Sequence, residues 1–139
     1  MKDENQIIFV VKGVIINEGK VLILKRSEEE EVGGGTWENV GGKIEFGEEL
    51  EPALMREIKE ETGLDIHVER ILYATTFKTS PTRQIVLLTY LCTTDGYEIR
   101  LSTEHMDYLW ASEEQLKAKL PQEILNDFER NDVFSVIKM

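Results

Sequence analysis

The chain has 139 residues, one cysteine and a formal net charge of −11, which fits a single domain and excludes an internal disulfide. So acidic a surface repels nucleic acid polymers and anionic membranes, which both require a basic footprint, but leaves small anionic substrates open once a divalent cation reverses the local field. The longest unbroken apolar run, residues 7–11, falls far short of the ~20 that span a bilayer, the start Lys2-Asp3-Glu4-Asn5 is too polar for a secretory signal, and the lone Cys92 suits a reducing cytoplasm.

Residues 7–16, IIFVVKGVII, read as a buried strand with a bulge at Gly13. NEGK at 17–20 is a tight turn, and VLILK at 21–25 is the return strand of a hairpin. RSEEEEVGGGT, 26–36, strings charges and glycines together and builds no packed element. It reads as a mobile loop with Glu28 to Glu31 as a solvated face. A helix covers about 50–62; Glu49 caps it poorly, Pro52 is tolerated in its first turn, and Gly63 stops it. Residues 66–77 are rich in β-branched and aromatic side chains and form a strand, and KTSPT is a loop. QIVLLTYLCTT, 84–94, is a nearly continuous apolar strand, placed centrally, with Cys92 in the core. After a turn at Asp95-Gly96, residues 108–111 form a short strand. Ser112 and Gln115 make a capping box for a helix to about Leu120. Pro121 interrupts it, and a last helix covers about 122–131. The order of elements gives a mixed sheet with interspersed helices, in the α+β or α/β class.

The helix at 50–62 breaks the usual pattern. At ~100° per residue, Leu50, Leu54 and Ile58 fall within an arc of about 80°, and Met55 extends it. Glu61 falls between Leu50 and Leu54, Glu57 lies just outside Leu50, and Glu60 sits farther along the same flank. Amphipathic helices ordinarily place acids on the far side. Carboxylates held this close have three outcomes: they hold protons, they pair with basic side chains, or they bind a cation. Lys59 points to the opposite side, and Arg56 alone does not neutralise three acids. Oxygen clusters of this kind suit Mg²⁺, Mn²⁺ or Ca²⁺. The alternative is a short helix whose edge acids simply reach solvent.

The neighbouring residues add a fixed spacing. Gly42, five residues, Glu48, seven residues, then Arg56-Glu57-Ile58-Lys59-Glu60-Glu61-Thr62-Gly63-Leu64 match every specified position of the Nudix box, G-x5-E-x7-R-E-U-x-E-E-x-G-U with U apolar. The chain therefore resembles the Nudix hydrolases, and of these the MutT-like members, with one departure: Val40 stands where many members have proline before the two glycines. The resemblance implies an α+β fold in which a mixed β-sheet packs between helices as an α/β/α sandwich.

The resemblance also implies an activity. Nudix enzymes hydrolyse a phosphoanhydride in a nucleoside diphosphate linked to another group, with Mg²⁺ and with Mn²⁺ as an alternative. Carried over by position, Glu57, Glu60 and Glu61 are the metal ligands, joined by the Gly41 carbonyl from the Gly41-Gly42 turn. Glu57 or Glu60 orients or deprotonates the attacking water, and Arg56 holds Glu57 in place. Glu104 is the candidate distal acid. Arg26, Asn39, Gly42, Lys43 and Glu48 are the candidate substrate contacts, with Arg26 on a phosphate, Asn39 on a base edge and Glu48 acting behind the ligands or through water. Trp37, Phe46, Tyr73 and Phe77 could stack a base, although core packing is the commoner fate of such side chains. His67 and His105 read as structural or surface residues. The expected partner is a small nucleotide, not a nucleic acid polymer or a membrane, and a homodimer is left open. Nucleoside triphosphates lead as substrates. ADP-ribose or a nucleotide sugar is the alternative, kept open by Pro81, 17 residues beyond Leu64, a near miss to the proline that ADP-ribose members of the family carry about 15 to 16 residues beyond the box. A non-catalytic nucleotide sensor comes third.

Overall fold

β1 (Gln6–Asn17) is rich in β-branched residues, and it organises the sheet. In the computed structural model, which describes residues 4–30 and 33–138, β1 turns through residues 18 and 19 into β2 (Lys20–Arg26). The hairpin closes over only two residue pairs, Ile16 with Val21 and Asn17 with Lys20. The two strands then diverge. β3 (Trp37–Glu38) pairs with β2, and β4 (Val40–Lys43) pairs with β1, with Lys12 opposite Gly41. Helix α1 (Leu50–Thr62) follows. β5 (His67–Ser80) and β6 (Arg83–Thr93) form a long hairpin, and β6 lies parallel to β1. β7 (His105–Ala111) returns to β2. The seven-stranded sheet runs β3-β2-β1-β6-β5, with β4 and β7 attached to β1 and β2.

Alternation along β1 and β2 divides the apolar residues between the two faces. Val11, Ile15, Leu22 and Leu24 pack with Ala53, Leu54 and Ile58 of α1. Val14, Val21 and Ile23 face the other way, onto α2 (Glu113–Lys119), α3 (Gln122–Arg130) and α4 (Val133–Ile137), with Leu116, Phe128 and Val133 at the centre. The chain is thus an α+β protein with a mixed sheet between helical layers. Burying a side chain such as Ile58 contributes about 1.5–3 kcal/mol.

Several boundaries and one irregularity differ from the sequence reading. β1 pairs with β6 without interruption from Gln6 to Ile16, so Gly13 carries no bulge. A side chain there would meet Ile58 Cδ1 at 3.1 Å and Cys92 Sγ at 3.2 Å, so glycine serves the close packing of α1 on the sheet. Register shifts occur instead in β5 and between Lys25 and Arg26. Lys78, Thr79 and Ser80 continue β5 rather than forming a loop, because only residues 81 and 82 are needed for the turn. The sheet also captures β3, β4, the first half of β7 and the short helix α4, none of which carries enough local pattern to stand out. The capping box at Ser112 and Gln115 forms as expected. Cys92 is buried in the core, and burial pushes its thiol up to about 12. Of the acidic loop, Ser27 to Glu30 turn back on themselves, and Gly35 and Thr36 pair with Arg26. Glu31, like Lys2 and Asp3 at the start of the chain, lies outside the described residues.

Candidate active site

The site begins on β4: Gly41 and Gly42, expected in a turn, are instead residues of that strand, held there by pairing with Lys12 and Val11 of β1. Gly41 has φ +148°, and a side chain there would drive into the Val11 carbonyl. A side chain on Gly42 would meet the Glu57 carboxylate at 2.6 Å. The two glycines therefore let backbone and carboxylate approach as no other residue would. From the helix side, Glu61 Oε1 accepts the Gly41 N–H at 3.1 Å. α1 thus presents Glu57 and Glu61 directly to the glycines of β4.

The three helix acids differ sharply in environment. Glu61 is 6% exposed, between Leu50 and Leu54 on the arc that runs on to Ile58. Burial pushes its carboxyl up to about 7, with Lys12, His105 and the Gly41 N–H opposing the rise. Glu57 is half-buried. Burial raises it, Arg56 pulls it down, and the charges of Glu60 and Glu104 raise it further. Glu60 is exposed and held by Arg56 Nη1 at 3.2 Å. Among the described residues no three acidic, histidine or cysteine side chains converge tightly enough to enclose an ion. The donors that do meet are Glu57, Glu61 and the backbone of Gly41 and Gly42. A buried carboxylate whose one hydrogen-bond donor is a backbone N–H is an incomplete electrostatic arrangement, and the all-oxygen set is of the kind that suits a hard divalent cation. Leu50 and Met55, placed on the inner arc by the wheel, are 39% and 46% exposed. The helix tilts so that Ala53, Leu54, Ile58, Glu61 and Thr62 are the residues it buries.

Arg56 does more than orient Glu57. It forks onto Glu48, Nε to Oε2 at 2.6 Å and Nη2 to Oε1 at 2.8 Å, a bidentate pair with strong geometric specificity. That pair holds the Glu48 carboxyl down to about 2. Glu48 also accepts the Glu45 N–H at 2.8 Å and so closes the loop before α1. Arg56 Nη1 reaches Glu57 at 3.2 Å, and Nη2 reaches the Lys43 carbonyl at 3.3 Å. Both oxygens of Glu48, a candidate substrate contact, are thus taken up in holding the loop. The Lys43 side chain is exposed.

A second cluster lies behind the glycines of β4, and the sequence reading missed its centre. Glu38 on β3 accepts from Lys12 Nζ at 3.3 Å, Arg26 Nη1 at 3.2 Å and His105 Nε2 at 2.8 Å. Burial opposes its ionisation, yet Lys12, His105 and Arg26 together hold it at about 2. His105 is structural, as expected, but it is an interior partner of Glu38 and not an isolated residue. Arg26 ends β2 as anticipated and is engaged with Glu38 and, at 3.5 Å, with Glu30. Asn39 is 4% exposed, and its buried Oδ1 has no partner. Glu104 is an exposed loop acid whose charge reaches Glu57, while its backbone carbonyl accepts the Ser27 N–H. A usable signal existed for Lys12, the one charge inside an apolar strand. Glu38 had none beyond its place beside Asn39.

The remaining candidates lie elsewhere. Tyr73 packs on Phe128 in the core, Trp37 sits under Lys119, and Phe46 and Phe77 are exposed. His67 lines an open cavity of about 810 Å³ at the C-terminal end of α1, with Arg100 and Tyr108. Pro81 sits in the tight β5–β6 turn.

Comparison with known proteins gives the family. The NUDIX domain model aligns with residues 8–130. The chain belongs to the Nudix family. It is 31% identical to the nucleoside triphosphatase NudI of Escherichia coli O17:K52:H18, over 77% of this chain and 83% of that one. It is likewise 31% identical to a MutT-like protein of Streptomyces ambofaciens, over 81% of this chain and 68% of that one. Its fold superposes on the crystal structure of the MutT protein from Methanosarcina mazei Go1 with a TM-score of 0.84 and 30% identity, covering 94% and 96% of the two chains. This Nudix protein is a hydrolase of the pyrophosphohydrolase type. Nudix hydrolases generally use divalent metal ions. Among its described residues no helix is long and apolar enough to cross a membrane.

Proposed function

We propose that the chain is a Mg²⁺-dependent nucleoside triphosphate pyrophosphohydrolase that releases a nucleoside monophosphate and pyrophosphate. The observation that carries this reading is the meeting of Glu57 and Glu61 with the Gly41-Gly42 backbone. Glu57, Glu61 and the Gly41 carbonyl would hold the cation, with Glu60 completing the set from the helix edge and Glu104 from the loop before β7. A cation held there would supply polarisation of phosphoryl oxygens and acidification of water.

The chain's own residues supply the rest. Glu57 accepts the proton of the attacking water, a role supported by its place against Gly42 and its tie to Arg56. Water adds to phosphorus, the phosphoanhydride P–O bond breaks, and the displaced phosphate leaves with the bonding pair. Arg56 keeps Glu57 aimed by tying it to the same guanidinium that closes the loop on Glu48. Arg26, Lys43 and Asn39 are the groups for the nucleotide, through its phosphates and base edge.

Resemblance to the triphosphatase relative favours triphosphates over ADP-ribose or nucleotide sugars, and Pro81 has a sufficient reason to exist in its turn. The test is a hydrolysis panel of nucleoside triphosphates, ADP-ribose and nucleotide sugars with Mg²⁺ or Mn²⁺. Turnover of triphosphates to monophosphate and pyrophosphate is expected. Preferred turnover of a sugar conjugate moves the assignment to that class, and no metal-dependent turnover of anything overturns it.

A further inference from the structure

Lys12 is the one charged residue of an otherwise apolar stretch of β1, and its position is specific. It stands opposite Gly41 in the β1–β4 pairing. Its ammonium donates to the Asn39 carbonyl at 3.1 Å, to Glu38 Oε1 at 3.3 Å and to the Gly41 carbonyl at 3.4 Å. The side chain is 17% exposed. The Gly41 carbonyl is the atom assigned above to the cation, and the amide of that same residue holds Glu61. Lys12 therefore places a fixed positive charge on the oxygen that a divalent ion would take, within the electrostatic reach of Glu61.

We infer that Lys12 is a tethered counter-cation of the Gly41–Glu61 half of the site, which a divalent ion must displace from the Gly41 carbonyl. Repulsion between an ammonium and a divalent ion sharing one oxygen is strong where solvent screening is poor. The lysine has somewhere to go, because Glu38 and the Asn39 carbonyl already share its other hydrogens. Glu38 in turn keeps Arg26 and His105 as partners when Lys12 moves. Lys12 is thus a positioning residue that lowers the free enzyme's affinity for metal. A nucleotide arriving with its own cation brings the negative charge that makes displacement favourable. This inference rests on the metal site proposed above.

The test is Mn²⁺ binding to the nucleotide-free protein at pH about 8, above the usual carboxylate range, followed by the free-ion paramagnetic resonance signal. Three proteins are compared: wild type, Lys12→Met and Lys12→Arg. Methionine keeps the unbranched stem and removes the charge. The expected result is a dissociation constant about tenfold lower in Lys12→Met, with no tightening in Lys12→Arg, which retains the charge. Circular dichroism confirms folding of each variant. Should Lys12→Met prove unstable, the wild-type Lys12 Cε resonance gives the second measurement. Assigned from the Lys12→Arg spectrum, it is expected to shift as Mg²⁺ is added. Wild-type binding with no tightening in a folded Lys12→Met, or a static Lys12 resonance at Mg²⁺ saturation, overturns the role of Lys12 and leaves the metal site standing. No Mn²⁺ binding by wild type overturns both.

Discussion

Two ion clusters flank the glycines of β4 with opposite compositions. In the middle of α1 one arginine, Arg56, is shared by Glu45, Glu48, Glu57 and Glu60. Behind the glycines one carboxylate, Glu38, is shared by Lys12, Arg26 and His105. The first cluster leaves an excess of negative charge facing the glycines and the second an excess of positive charge beside them. A site for a cation and a polyphosphate needs both signs at close quarters. The clusters also differ in how they are assembled. The bonds of Arg56 link residues 8, 1 and 4 positions apart, whereas those of Glu38 span 26, 12 and 67 positions. One is written in a short segment and the other is collected by the sheet.

Substitutions can break this contrast. The largest effect is expected from Glu57→Gln, which should cut kcat/KM for the best substrate by about 10³-fold through loss of the proton acceptor, while circular dichroism and the melting temperature stay near wild type. Near-wild-type turnover would remove Glu57 from the chemistry.

Next comes stability. The Glu61 carboxyl sits at about 7 in the folded chain against an ordinary value of 4.5, so the fold favours its protonated form. Metal-free stability should therefore fall as pH rises from 4.5 to about 7, by about 3 kcal/mol in all. Glu61→Gln should recover that amount above pH about 7, and little at pH about 4, in chelator-treated urea melts. A loss of stability in the variant at high pH would refute the buried-acid assignment.

Glu38 behaves oppositely. Its carboxyl is held at about 2 against 4.5, so its contribution is present above pH 4.5 and fades as pH falls toward 2. Glu38→Ala should cost about 2 kcal/mol at neutral pH by leaving Lys12 and Arg26 less compensated, with the deficit narrowing in acid melts. The smallest expected effect is that of Arg56→Lys: a lysine keeps the charge but cannot fork onto Glu48, so kcat should fall about tenfold through loosened aim of Glu57.

Much of this site could be read before any fold was seen, for identifiable reasons. Helix periodicity placed Glu61 among buried positions, and it is buried. The same periodicity put Leu50 and Met55 inward, yet they are exposed, because a wheel knows the spacing of side chains and not where the sheet ends. Arg56 was read as the keeper of Glu57, but its shortest bonds go to Glu48, whose carboxylate is brought within reach by the closed loop at 45–48. β3 and β4 escaped notice because strands of two and four residues with three glycines or acids carry no alternation.

By itself the sequence determined helix α1, its stop at Gly63, the acids on its face, and the spacing to Gly42 and Glu48, since these depend on neighbours along one segment. Only the tertiary structure decided that Lys12, Arg26 and His105 share the Glu38 carboxylate, because their meeting depends on the divergence of β1 from β2 and the return of β7. The same divergence admits β4 beside β1, and so sets Lys12 against the Gly41 carbonyl next to the glutamates of α1.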